Sequence, residues 1–360
     1  MRPPRILHVN TSYGWRGGEN QVFLLMKGLR EKGVESILVT PPGSPLGERM
    51  KEEGFEVREI MFRGEIDIRG IPELIDFSRR RDVDIFHAHT SHAHTLAGIS
   101  ARLSGKKIVV TRRVDFHPPL FSRWKYRRLA DRIIVISRFI GEIMRKIGVD
   151  EKKIRHVPSA VNPERLERRR DPSYLFKEFP LEHPIIGCVG QLTDHKGHIY
   201  LLRAFPRVLK VFPTATLFLV GRGELLGYLR KVVRGMRMDK RVIFAGFRKD
   251  IPEILSILDL FVLSSHMEGL GSSLLDAQYM GIPVVSTYAG GIPEVVKHGE
   301  TGILVPPRDE EALGKAIVEV LKDEKMRREF SLRGREWAKK FLPSRMVEGT
   351  LRVYEEVIRG

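Results

Sequence analysis

Short apolar runs alternate with longer stretches whose apolar residues recur at every third or fourth position, and the alternation covers most of the chain. The run at 5–10 reads as a strand. The stretch 19–32 follows with helical spacing through Val22, Leu25, Met26 and Leu29 and stops at Gly33. Strands are predicted over 34–40, 55–60, 83–87, 107–111 and 133–136. Helices are predicted over 46–53, 71–81, 94–103 and from 137 to 147. Strands alternating with amphipathic helices imply a parallel sheet with crossover helices on both faces.

The pattern pauses at 162–182, a polar stretch with Arg168-Arg169-Arg170 and Pro172 that reads as the tail of a first domain and a linker. It resumes with strands over 184–190, 216–220, 242–245, 260–264, 283–286 and 303–305. Helices fall over 199–210, 225–236, 251–258 and 273–280, and helical stretches run from 310 to 358. The expected organisation is one Rossmann-like domain over 1–175, a second over 176–342, and a last helix over 343–360. Ligands of such sheets bind beyond the carboxyl ends of the strands, so the loops after strands should carry the chemistry.

Composition narrows the class. A chain of 360 residues exceeds the roughly 100–200 residues of one ordinary domain. Cys188, the sole cysteine, lies in an apolar run, which excludes an intrachain disulfide and fits a reducing compartment. No apolar run reaches the roughly 18 residues that span a bilayer. The start, Met1-Arg2-Pro3-Pro4-Arg5, is basic, but the apolar run after it is short and broken by His8 and Asn10, which reads as a first strand and not as a signal peptide. A cytoplasmic protein is expected. The 62 Lys and Arg against 45 Asp and Glu give a net charge of +17. That excess fits either a highly charged soluble surface or an anionic partner such as phosphate, an acidic membrane face or nucleic acid.

Several post-strand loops hold unusual residues. Gly17-Gly18-Glu19 lets backbone approach a ligand at a helix start, although a tight turn would also ask for glycine. Gly190-Gln191-Leu192-Thr193-Asp194-His195-Lys196-Gly197 places Lys196 just before a helix start. A cation there opposes the helix dipole unless an anion is near, which points to a phosphate-binding lysine. In Glu268-Gly269-Leu270-Gly271-Ser272-Ser273 the loop offers a diphosphate backbone N–H groups and two hydroxyls, and Glu268 could accept from sugar hydroxyls. Asp276 has two readings, a site carboxylate or the partner of Ser273 in a capping box.

Histidines 87, 89, 92 and 94 cluster, with His89 at a strand end where it could touch substrate; no Cys or carboxylate group joins them, so no metal site is expected. The segment 112–128 interleaves Arg112, Arg113, Arg123, Lys125, Arg127 and Arg128 with Phe116, Phe121, Trp124 and Tyr126. It suits an anionic membrane interface, single-stranded nucleic acid, or a solvated helix with core aromatics. Gly221-Arg222-Gly223 opens a helix but misses the dinucleotide fingerprint spacing, so no nicotinamide cofactor is expected.

Taken in order, these motifs resemble the retaining glycosyltransferases of family 4, and in particular the bacterial cell-envelope, lipopolysaccharide-type members. Gly17-Gly18-Glu19 resembles that family's Gly-Gly-x-Glu loop, Asp84-Ile85-Phe86-His87-Ala88-His89 its Asp-x-x-His-x-His element, and Lys196-Gly197 its Lys-Gly loop. Glu268-Gly269, Asp276-Ala277, Gly281-x-Pro283-Val284-Val285, Gly290-Gly291-x-Pro293-Glu294 and Gly299-x-Thr301-Gly302 follow in family order. Three positions depart. Asp276 stands where the family usually has Glu, one methylene longer. Gln191 stands where Arg is common. Arg112-Arg113 follow Thr111 where many members have Thr-x-His.

The resemblance implies the GT-B fold, α/β, with two Rossmann-like doubly wound domains facing across a cleft. It implies a metal-independent transfer from a nucleotide-diphosphate sugar, with retention at the anomeric carbon and no cofactor. Lys196, Glu268, His89 and Arg113 would carry the reaction. The donor would contact Gly17, Gly18, Gln191, Arg222, Phe247, Arg248, Gly269, Leu270, Gly271, Ser272, Ser273 and Asp276, with Asp276 on the ribose and the backbone of Phe247 and Arg248 on the base. The leaving phosphate takes the acceptor proton in this scheme, so no general base is named. The expected acceptor is a sugar or lipid-linked molecule bound by the first domain, with 112–128 at the inner membrane face. The rival readings are a nucleotide-sugar epimerase on the same fold and a nucleic-acid-binding protein; nucleic acid is not the expected partner, because the local Lys196, Glu268 and Asp276 pattern has no use there.

Overall fold

The computed structural model describes residues 3–62, 68–167 and 170–360; Met1 and Arg2 of the basic start, and Arg168 and Arg169 of the arginine triplet, lie outside the described residues. The chain forms two compact units, one of Met1–Ala160 with Pro343–Gly360 and one of Val161–Leu342. In the first, strands β1 (Ile6–Val9), β2 (Ser36–Thr40), β3 (Val57–Glu59), β4 (Ile85–Ala88), β5 (Lys107–Arg112), β6 (Arg132–Val135) and β7 (Ile154–His156) lie in the order β3-β2-β1-β4-β5-β6-β7. In the second, β8 (Ile185–Val189), β9 (Thr216–Val220), β10 (Val242–Gly246), β11 (Leu260–Leu263), β12 (Val284–Thr287) and β13 (Gly302–Val305) lie in the order β10-β9-β8-β11-β12-β13. Every pairing within the two sheets is parallel.

Helices pack on both faces of such sheets, so the central strands are largely apolar, and β1, β4, β11 and β12 are buried at every position, including His8, His87, Ser286 and Thr287. The strand order reverses beside β1 in the first unit and beside β8 in the second. At such a reversal neighbouring crossovers leave in opposite directions and open a crevice at the carboxyl edge. The crevices therefore fall at the ends of β1 and β4, and of β8 and β11.

Two parts of the chain differ from the sequence reading. Strand β7 was not anticipated. It is three residues long at a sheet edge, and only Ile154 of it is buried, so it shows no apolar run. The polar stretch expected as a linker holds two short helices, Pro163–Leu166 and Tyr174–Glu178, whose Leu166 and Leu175 are buried. The units divide between Ala160 and Val161, earlier than the residue 175 expected from polarity.

The final helix, Pro343–Arg359, packs in the first unit. Its Met346, Val347, Val353, Tyr354 and Val357 share a core with Ile6, Leu25, Leu29 and Val109. The Tyr354 hydroxyl is 2.6 Å from His87 Nδ1 in this buried setting, and Glu356 accepts from Arg155 at 2.7 Å. Replacing Tyr354 by Phe keeps the packing but leaves a buried ring nitrogen without its partner. The expected cost is about 1–3 kcal/mol, read from the denaturant midpoint of the variant. An unchanged midpoint would show that this bond does not anchor the helix.

Candidate active site

The loops at the carboxyl edge of the second sheet meet around one ion pair. Lys196, in the loop after β8, donates to Glu268, in the loop after β11, at 2.5 Å, and both side chains are largely buried. The pair is framed by further bonds between the same two loops. His266 N donates to His195 O at 2.9 Å, and His266 Nε2 lies 3.1 Å from Asp194 Oδ2. Ser264 Oγ donates to Gly197 O at 2.9 Å. The anion that offsets the cation at the helix start is thus a carboxylate of the protein itself.

Two helices begin beside this pair, and both begin without a capping side chain. His198–Val211 starts after Gly197 and Ser272–Tyr279 after Gly271, each glycine in the left-handed region at φ 64° and 92°. Five other helices are capped by the side chains of Ser44, Thr90, Ser137, Asp309 and Asp323, while Gly70–Arg80 and Leu226–Gly235 also start without a capping side chain, so it is the lysine beside them that distinguishes the two starts here. First-turn N–H groups have no intrahelical acceptor. Leaving two such ends bare next to a lysine creates positive potential suited to an anion. Gly269, Leu270 and Gly271 form the bend between Glu268 and the second of these helices, and Ser272 and Ser273 are its first two residues.

Close backbone approach fixes the remaining walls. Gly290 has φ 51°, and a Cβ there would lie 1.9 Å from Glu268 O, which accepts from Gly291 N at 2.9 Å. Gly221 is similar: a Cβ would lie 1.8 Å from Gly190 O. Leu192 N donates to Arg222 O at 3.0 Å, so the loops bearing Gln191 and Arg222 adjoin, and both of those side chains are exposed. Phe247, at the end of β10, is 61% exposed. The neighbouring Arg248 side chain is committed to Glu178 and to Asp250, the latter at 2.7 Å.

The capping reading of Asp276 fails. The helix starts at Ser272 with Gly271 as its cap, so Ser273 is not the capping residue. Asp276 is buried and instead pairs with Arg165, from the helix Pro163–Leu166. Burial raises its carboxyl above the ordinary range, and the Arg165 charge and hydrogen bond work against that rise.

In the first unit, His8, His87 and His89 gather at the ends of β1 and β4, with ligand-capable nitrogens within 4.8 Å of one another. His8 Nδ1 lies 2.9 Å from His89 Nε2, and His87 Nε2 lies 2.7 Å from Thr111 Oγ1. Burial above all lowers these rings and favours their neutral form, with smaller contributions from the neighbouring rings on His87 and His89 and from Arg113 on all three; His8 is pulled down to about 3. A cation here would have to displace Tyr354 or Thr111 from one His87 nitrogen and sit beside a guanidinium, so the donor set favours a hydrogen-bonded network over a metal site. Arg113 Nη1 is 3.5 Å from His89 Nδ1, and burial pulls the guanidinium down to about 10 while Glu19 acts the other way. A Cβ on Gly18 would lie 3.8 Å from Arg113 Cδ, so Gly17, Gly18, His89 and Arg113 share one end of the sheet.

The segment 112–128 divides by burial. Arg112 donates to Tyr126 Oη at 2.7 Å and Lys125 to Ser91 O at 2.9 Å, and all three of Arg112, Lys125 and Tyr126 are buried. These two cations are structural and unavailable to a membrane. Phe116, Leu120 and Trp124 remain 50%, 78% and 47% exposed. Sequence reasoning missed Arg165, which lay in the stretch taken for a linker, and gave His266 no role. It had noted His8 only as a polar break in an apolar run, which was in fact the signal of a buried network.

Comparison with known proteins agrees with this geometry. The Glycosyltransferase Family 4 family matches residues 15–165 and the Glycosyl transferases group 1 family residues 174–337. The chain is 29% identical over 328 residues to the lipopolysaccharide core biosynthesis glycosyltransferase LpsE of Rhizobium meliloti, covering 90% of this chain and 91% of the relative. It is 26% identical over 306 residues to the N-acetyl-alpha-D-glucosaminyl L-malate synthase of Bacillus anthracis, covering 81% and 80%. The solved structure of Anabaena Alr3699/HepE in complex with UDP superposes with a TM-score of 0.87 at 19% identity, covering 98% of this chain and 100% of that one, which shows the same fold.

The close approach at Gly290 is testable against Gly299, also at positive φ (74°) but with open space where a Cβ would go. Gly299→Ala should cost about 1–2 kcal/mol from backbone strain alone. Gly290→Ala should cost more, because the strain is joined by collision with Glu268 O. Thermal unfolding of the two variants gives the comparison; equal losses would remove the steric role.

Proposed function

Because the chain belongs to the glycosyltransferases, with a family 4 front part and a group 1 rear part, we propose that the second unit holds a nucleoside-diphosphate sugar whose glycosyl group passes to an acceptor bound by the first. The configuration at the anomeric carbon is retained. The observation that carries this reading is the Lys196–Glu268 pair between two uncapped helix starts. Binding a diphosphate gives Lys196 a second anion and supplies acceptors to the bare first-turn amides. In the reaction the bond from the anomeric carbon to the phosphate oxygen breaks and a bond to an acceptor oxygen forms. The acceptor proton passes to the leaving phosphate. Negative charge grows on the diphosphate as the bond breaks, so Lys196 and the bend from Gly269 to Ser273 stabilise the transition state more than the ground state.

Glu268 orients the donor sugar, Asp276 binds the ribose, and the backbone at Phe247 and Arg248 meets the base. His89 and Arg113 act on the sugar side in the first unit. No metal ion or cofactor is assigned a role. Support for a cell-envelope acceptor comes from LpsE, named for lipopolysaccharide core biosynthesis. It also comes from the exposed Phe116, Leu120 and Trp124 among the cations of 112–128, an arrangement fitted to the headgroup level of an anionic bilayer. No helix among the described residues is long and apolar enough to cross a membrane, so this contact would be peripheral, at the cytoplasmic face.

Lys196→Ala should lower kcat about 10²–10³-fold, the loss typical of one transition-state donor, with circular dichroism unchanged. Near-normal turnover in the folded variant would remove the phosphate assignment. Sedimentation with vesicles tests the membrane reading. Anionic vesicles should retain more protein than neutral ones, and the Leu120→Ser, Trp124→Ser double variant should lose that excess. Equal recovery of the wild type on both would count against it.

A further inference from the structure

Arg165 lies far in sequence from the glycine-serine bend yet reaches the one carboxylate in the first turns of its helix. Three features of this ion pair bear on its role. Its carboxylate side chain is only 11% exposed, while its guanidinium is 42% exposed. The acid is therefore reached from one side, and the base keeps N–H groups on the open side. The arginine is also held in place: Arg165 N donates to Asn162 Oδ1 at 3.2 Å, and the adjacent Leu166 is buried. Finally, the acid is an aspartate, which reaches one methylene less far than a glutamate and depends more on how its carboxylate is aimed. A buried carboxylate without a partner is costly and tends to take up a proton.

We propose that Arg165 is the positioning residue of the ribose subsite: its guanidinium binds one side of the Asp276 carboxylate and aims the free oxygen at the ribose hydroxyls of the bound nucleoside diphosphate. The inference rests on the donor-site reading above. Arg165 acts through Asp276 and not on the phosphates, which belong to Lys196 and the helix starts. Its charge also opposes the rise that burial gives the carboxyl. Arg165 is the charged group acting on Asp276. Arg335, from the packed helix Glu324–Ala338, donates to Met280 O instead. With the guanidinium removed, the carboxyl would protonate at higher pH, and acceptance from ribose hydroxyls would be lost earlier as pH falls.

Calorimetric titration of UDP, GDP and inorganic pyrophosphate into the wild type, Arg165→Met, Arg165→Lys, Asp276→Asn and the Arg165→Met, Asp276→Asn double variant tests this. The better nucleotide should bind Arg165→Met about tenfold more weakly, as expected for one hydrogen bond to a charged group, while pyrophosphate binds unchanged. The double variant should bind no more weakly than Asp276→Asn. The pH at which nucleotide affinity falls should rise in Arg165→Met and return in Arg165→Lys. Equal weakening of nucleotide and pyrophosphate would show a merely structural arginine. Unchanged or tighter nucleotide binding, or additive losses in the double variant, would also overturn the inference. A wild type that binds pyrophosphate but neither nucleotide overturns it as well. A wild type that binds none of the three overturns the donor-site reading itself.

Discussion

The ion pair between Lys196 and Glu268 ties the loop after β8 to the loop after β11 at the point where the strand order of the second sheet reverses. Two helix starts open beside it, neither closed by a capping side chain. In water, such ends are satisfied cheaply by solvent. Next to a largely buried lysine they become a preorganised set of donors, because the loops that carry them are locked by His266, Ser264 and Gly290. The glutamate has two uses in this arrangement. Before a ligand arrives it offsets the cation that would otherwise oppose the helix dipole, and it remains placed to contact the sugar.

The first unit solves a different problem with similar topology. Its reversal lies beside β1, and there the strands carry histidines where apolar residues would be expected. Three rings are buried together beside the part-buried Arg113. They are tolerated because the rings are neutral and joined to one another, to Thr111 and to Tyr354 by hydrogen bonds. Tyr354 comes from the helix Pro343–Arg359, so the polar end of the first sheet is completed by a segment that follows the second unit in sequence.

Charge behaves unevenly across the molecule. The net excess of +17 reads as one property of the sequence, yet the cations have separate fates. Arg112 and Lys125 are buried and bonded to neutral oxygens; Arg248 is bound to two carboxylates. Lys196 and Arg165 each sit against an acid at the site. Counting charge along 112–128 therefore overstates what that segment can present to an anionic surface, while its aromatics stay available.

The alternation of apolar periods settled the two parallel sheets, because a strand covered on both faces is mostly apolar and a covering helix is apolar on one side. Glycine-rich loops after β8 and β11 were visible for a local reason too: both helices are entered through a positive φ, which glycine adopts without a Cβ clash. What the sequence left open depended on contacts between distant segments. The edge strand β7 is too short to show a period, and the short helices holding Leu166 and Leu175 are stabilised by burial and not by pattern. Whether Asp276 capped its own helix or faced a site could not be read from spacing, since both readings use the same residues. The fold excluded the cap by starting the helix at Ser272, and it set Arg165, from the start of the second unit, against the carboxylate, a meeting that no local rule encodes.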